Sequence, residues 1–206
     1  MDKLQTKQEL LAKLTALTSV PDDNNIYLKE KVKKALLKSP ELLYAFHNLD
    51  LEDTELFNPD GTINYDGDWT MYYGEEGNIH PYFYLPDTQD KVRHHLCFKT
   101  EFTDIPKYNQ IMCYMNVTFL VMVDVRDVID PFTGITRHDL ISSILRERFN
   151  WSNIFGAQCK IVSNKESFTD SNYIIRTIVV EQETTNNITG TRGGKRQVID
   201  KNPWTS

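Results

Sequence analysis

Ile111-Met112-Cys113-Tyr114-Met115-Asn116-Val117-Thr118-Phe119-Leu120-Val121-Met122-Val123-Asp124-Val125-Arg126 runs sixteen residues without a proline or glycine. The odd positions from Ile111 through Cys113, Met115, Val117, Phe119 and Val121 to Val123 are all apolar. Successive side chains of a strand point to opposite sides, so this set shares one face. The other face is apolar at Met112, Tyr114, Leu120 and Met122, with polar Asn116 and Thr118 among them. Apolar residues on both faces suit a covered central strand or an oligomer contact. Strands usually run ~5–6 residues, and one of this length reaches ~50 Å. That exceeds what one domain in a chain of 206 residues covers alone. Part of the strand is therefore expected to lie against a neighbouring copy.

On the N-terminal side, Leu96, Phe98 and Phe102 alternate with Lys99, Glu101 and Thr103, the pattern of a half-buried strand. Pro106-Lys107-Tyr108-Asn109 reverses it into the long strand, which sets Cys113 opposite Phe102. On the C-terminal side, Pro131-Phe132-Thr133-Gly134 leads to the capping signature Thr136-x-x-Asp139. The helix it opens carries Leu140, Ile141, Ile144, Leu145 and Phe149 inward, with Arg146 and Arg148 outward. Cys159-Lys160-Ile161-Val162 reads as a strand, 164–172 as a polar turn region and Tyr173 to Glu183 as a last strand.

The first fifty residues read as short helices. Thr6-x-x-Glu9 is a capping box, followed by Leu10, Leu11, Leu14 and Leu17 on one face. A Lys-rich helix from about Ile26 to Lys38 has the stripe Leu28, Val32, Ala35 and Leu36. Ser39-Pro40 then opens a third helix with Leu42, Leu43 and Phe46 inward. The fold class is α+β: a mixed or antiparallel sheet with a long β-hairpin and one packed helix, after an N-terminal helical subdomain. The expected divisions are 1–50 helical subdomain, 51–91 aromatic-rich loop with a short hairpin near Trp69 to Tyr73, 92–185 α+β core, and 186–206 polar tail.

Composition bounds the function. An apolar fraction of 40% and a charged fraction of 25% suit a folded globular protein. A net charge of -6 argues against general coating of nucleic acid, which needs a positive field. Cys97, Cys113 and Cys159 sit in strand contexts without paired spacing, as core residues in a reducing compartment do. The N-terminus lacks the apolar run of a signal peptide, and the apolar stretch Met112 to Val125 is too short to span a membrane as a helix. Synthesis in the cytoplasm, with no membrane partner, is the expectation.

The motifs that carry chemistry are incomplete. His94 and His95 are adjacent and point to opposite sides of a strand, so they cannot grip one metal ion together. His95 and Cys97 share a face but lack further ligands at zinc spacing. Asn58-x-Asp60-Gly61 resembles the middle of a calcium loop, yet Leu56 and Gly67 fill the terminal ligand positions. Gly190-Thr191-Arg192-Gly193-Gly194-Lys195-Arg196 lacks the spacing and hydroxyl of a phosphate loop. No nucleophile elbow exists. Neither a catalytic residue, a cofactor site nor a metal site is expected. Tyr108, Met112, Tyr114, Asn116, Thr118, Leu120 and Met122 are the expected oligomer contacts. Arg192, Lys195 and Arg196 form a basic arm for an acidic partner or DNA.

The order of elements resembles the neck and tail-completion (tail-terminator-like) proteins of tailed bacteriophages. The likeness covers roughly Leu96 to Asn186 and rests on the hairpin with its long strand, the helix opened by Thr136-Arg137-His138-Asp139-Leu140-Ile141, and the strands Cys159-Lys160-Ile161-Val162 and Tyr173-Ile174-Ile175-Arg176-Thr177-Ile178-Val179-Val180. The resemblance implies a non-enzymatic homo-oligomeric ring, commonly a hexamer, at the head–tail junction of the virion. It also implies contacts to other neck and tail proteins, and DNA that passes through without being specifically bound. Two other readings stay open. One is a metal-dependent DNA-processing nuclease using Asp124, Asp127 and Asp130 with Glu181 and Glu183. The other is a small adaptor that binds a partner through its helical subdomain.

Overall fold

The computed structural model describes residues 6–17, 24–84, 91–103, 112–168, 172–185, 190–192 and 195–197. Helices α1 (Lys7–Leu17), α2 (Asn24–Leu37), α3 (Pro40–Ala45) and α4 (Leu49–Leu51) come first, α4 running into a π-helical turn, Glu52–Leu56. The strands are β1 (Ile79–His80), β2 (His95–Thr103), β3 (Met112–Asp124), β4 (Cys159–Phe168) and β5 (Tyr173–Thr185), with α5 (Arg137–Phe149) between β3 and β4. They form one sheet in the order β1-β2-β3-β5-β4. β1 is parallel to β2, and the other pairs are antiparallel. This is the expected α+β fold with a mixed sheet.

β3 is the middle strand. It pairs with β2 from Tyr114 to Met122 and with β5 along its whole length, Met112 to Asp124. β5 matches β3 residue for residue, so that edge of the strand offers no unpaired backbone to another copy. The strand is also shorter than the apolar run, because the Asp124 side chain accepts from the Arg126 amide and starts a 3-10 turn, Val125–Asp127.

One face of β3 forms the main core. Met115, Val117, Phe119, Val121 and Val123 are buried with Leu96, Phe98, Ile178 and Val180 of the flanking strands. Helix α5 supplies Ile141, Leu145 and Phe149, and the N-terminal helices supply Val32, Leu36, Leu42 and Leu43. The Phe119 and Phe149 rings lie 5.0 Å apart. On the opposite face, Met122 is fully buried with Cys97, Tyr173 and Ile175, and Tyr84 and Leu120 pack against them. The chain thus covers this end of the second face itself.

Four further expectations change. Phe102 pairs with Met115, two residues further along β3 than Cys113. Trp69–Tyr72 is a 3-10 turn capped by Asp68, not a hairpin; the aromatic segment instead adds β1 to the sheet. β4 continues through 164–168, because as an edge strand it tolerates polar residues on its solvent side. The tail carries a short antiparallel pair, β6 (Gly190–Arg192) with β7 (Lys195–Gln197). At the other end, the Thr6–Glu9 capping box forms in both directions, at 3.0 and 3.2 Å. Leu10, Leu11 and Leu14 of α1 are exposed.

Candidate functional site

The connection from β3 to α5 is short and polar, and it is organised around a buried cation. Arg137, the first residue of α5, is 1% exposed. Its Nε lies 3.1 Å from Asp127 Oδ2, and its Nη1 donates to Asp130 Oδ1 at 3.3 Å. One guanidinium therefore binds both carboxylates of the connection. A pre-organised fork suits such double recognition. Asp127 also accepts from His47 Nδ1 at 2.6 Å and from His94 Nε2 at 3.2 Å. His94 Nδ1 accepts the Asp124 amide, which fixes the proton on Nε2. Burial alone raises the Asp127 carboxyl. The hydrogen bonds from both histidines and the Arg137 charge outweigh it and hold the group below its usual range.

Asp130 orders the loop that follows. Its carboxylate accepts from the Thr133 amide at 2.8 Å and the Thr133 hydroxyl at 2.7 Å. Its amide donates to Ile135 O, Gly134 returns a bond to Asp130 O, and Ile129 bridges Thr136. Gly134 sits at φ +68, where a side chain is strained. The loop so fixed displays Ile129 at 53% exposure, Phe132 at 80% and Ile135 at 47%. Apolar side chains exposed together on one loop make it a candidate contact surface. Its signal was present in the sequence: three large apolar residues in a Pro-Gly turn, followed by an arginine at the first position of a helix, where cations are unfavourable.

A cleft of about 450 Å³ borders the staple. His47, Asp50, Lys91, Arg93, Arg126 and Asp127 are among its lining residues. Arg126 is clamped on buried Asp124, with Nε 3.0 Å from Oδ1 and Nη2 2.7 Å from Oδ2. The three carboxylates considered for a nuclease are thus each matched to a cation. Glu181 pairs with Asn116, far along the sheet from Asp124, which pairs with Tyr173.

The expected contact residues divide. Met122 is fully buried and Thr118 is 7% exposed within the subunit. Their cover comes from the sheet itself and, at Met122, from the Tyr84 segment. Tyr114, Asn116 and Leu120 are half-buried on the same face. Met112 lies in β3, and Arg192, Lys195 and Arg196 lie in the β6–β7 pair. Tyr108 is outside the described residues.

Two histidine clusters remain. His80 Nε2 and His95 Nδ1 are 3.0 Å apart and buried beside Tyr84 and Tyr173. Burial, then the nearby His80 and Arg93 charges, push His95 down to about 3. His138, Asp139 and Glu166 bring one ligand atom each within 4.8 Å of one another, the spacing of a cation site. Arg176 already sits there: its Nη2 bonds Glu166 at 2.9 Å and pairs with Asp139. The cluster is a compensated ion-pair network.

No curated protein matches the chain. The family model YomW matches residues 30–182, which include α3, α5, β1 to β4, most of β5 and the stapled loop. That span is most of the molecule, and its family is one of prophage-derived proteins like those of Bacillus phage SPBc2. The chain belongs to the YomW family and is a phage-associated protein.

Proposed function

We propose that this protein is a non-enzymatic structural component of a tailed-phage virion, assembled as a ring, a hexamer by its likeness to neck and tail-completion proteins, at the head–tail junction. The observation that carries the reading is the stapled loop. A buried arginine and two carboxylates are spent on holding Ile129, Phe132 and Ile135 in solvent. The staple stabilises the fold, yet the outward placement of Ile129, Phe132 and Ile135 leaves much of their apolar surface in water. A partner that covers those side chains gains roughly 25 cal/mol for each Å² of apolar surface removed from water. The phage origin and the α+β fold support the same reading. The ring joins other neck and tail proteins through this loop, and DNA passes its lumen without specific binding.

The test is a phage carrying Phe132→Asp. The substitution places a charge in the contact and leaves the core untouched. Normal amounts of folded protein with heads and tails left unjoined, seen by electron microscopy, are expected. Normal infectious particles carrying the variant contradict the reading.

A further inference from the structure

The charge of this chain is unevenly placed. Residues 39–90 contain twelve Asp and Glu and no Lys or Arg. Outside them, the 23 Lys and Arg face 17 acids, since 29 minus 12 is 17. Both signs are concentrated at shaped features of the structure. Lys31, Lys34 and Ala35 of α2 and Lys38 just after it meet Arg148 and Ile154 around a depression of about 310 Å³. Its floor is apolar, its rim carries four cations, and no acid lines it. The Arg148 Nε is buried there without a hydrogen-bond partner. A buried donor left unpaired costs free energy until an acceptor arrives.

The complementary feature lies in the acidic segment. Tyr65 is 76% exposed at the tip of the loop that follows the π-helical turn. Exposed Asp66 follows it directly in the chain. The tip is rigid. Trp69 Nε1 donates to Glu55 O at 3.1 Å, its ring lies 5.8 Å from that of Tyr65, and Asp68 N donates to Glu55 Oε2 at 2.8 Å. Gly67 lies so close beneath that a Cβ there would meet Glu55 O at 2.1 Å. An aromatic knob with a carboxylate beside it fits an apolar hollow with cations around it. A hollow of about 310 Å³ has room for an aromatic ring, with cations at its rim to meet a neighbouring carboxylate.

We infer that the Lys31–Lys34–Lys38–Arg148 hollow receives the Tyr65–Asp66 loop of a second copy of this chain. The contact is head to tail, because the two surfaces are different patches of one subunit. Such contacts propagate until the rotation closes a ring. The inference deepens the ring reading and rests on it for the closure, but the contact itself is testable without it.

The experiment compares wild type with two variants by sedimentation velocity at micromolar concentration. One variant carries Lys34→Glu and Lys38→Glu, and the other Tyr65→Ala and Asp66→Ala. All four residues are on the surface, so unchanged urea midpoints certify the fold. Wild type is expected to assemble, and each variant alone to stay monomeric at about a hundredfold higher concentration. Mixed one to one, the variants are expected to form a heterodimer that does not grow, since each supplies the half the other lacks. Raised salt should dissociate that dimer. Assembly of both variants like wild type overturns the inference while the ring survives. A heterodimer from the mixture with open chains from wild type sustains the contact and removes the ring. Monomers throughout, with no heterodimer, overturn both.

Discussion

Strand β3 and the connection that follows it invert the usual guide to where a protein meets its partners. β3 is apolar on both faces, yet the chain pairs it with β5 along its length and with β2 from Tyr114 to Met122, buries its odd positions from Met115 to Val123, and covers Met122 on the even side. The connection 125–136 is short, with acids and a Pro-Gly turn, yet it holds four large apolar side chains, Val125 among them, in water. Apolar composition marks what must be covered. Only the fold decides whether the cover comes from within.

The largest expected effect that separates the two regions is at the staple. Arg137→Met leaves Asp127 and Asp130 without their shared cation, and an uncompensated buried charge costs about 3–5 kcal/mol. Urea unfolding measures it. A loss below about 1 kcal/mol breaks the claim that the loop is held from below. Phe119→Ala, on the buried face of β3, is expected to cost a comparable ~3–5 kcal/mol by leaving a cavity against Phe98 and Phe149.

Acid should act next. His95 titrates at about 3 when folded and near 6.5 when unfolded, so the unfolded chain binds more protons between those values. Burial lowers His80 and His94 in the same direction. Stability is therefore expected to be full above about pH 6.5 and to fall as pH drops toward 3. Asp124, Asp127 and Asp130 are also held below their unfolded value of 3.8, and their contribution is lost as pH falls through their folded values. His95→Gln should flatten the upper part of the decline in urea midpoints. An unchanged slope in that variant removes His95 as its source.

The smallest effect on stability sharpens the comparison most. Phe132→Ser should change the urea midpoint by no more than about 0.5 kcal/mol, because the side chain is 80% exposed. The same truncation at Met122, Met122→Ala, should cost ~2–5 kcal/mol, as a buried methionine does. Similar losses at both positions would erase the distinction between the two regions.

Much of the fold was legible because it follows from local pattern. Strict alternation from Met115 to Val123 marked the core face of β3, and the Thr6–Glu9 box marked the start of α1. The second face of the sheet was not legible, since its cover comes from Tyr84 and from strand neighbours distant in sequence. Nor was the extent of β4, where 164–168 carries the polar residues of an edge strand. At the candidate site, the acids Asp124, Asp127 and Asp130 stood out as a cluster, but their partners His47, His94 and Arg137 lie on three other elements. Long-range pairing of single charges leaves no periodicity to read.

The account is tested most directly by hydroxyl-radical footprinting of the free protein and of intact virions. Phe132 should react readily in the free subunit and become protected in the particle, while Met122 stays unreactive in both. A Phe132 as reactive in virions as in solution, or a Met122 open to oxidation in the free subunit and closed in the particle, would contradict it and return the contact to β3.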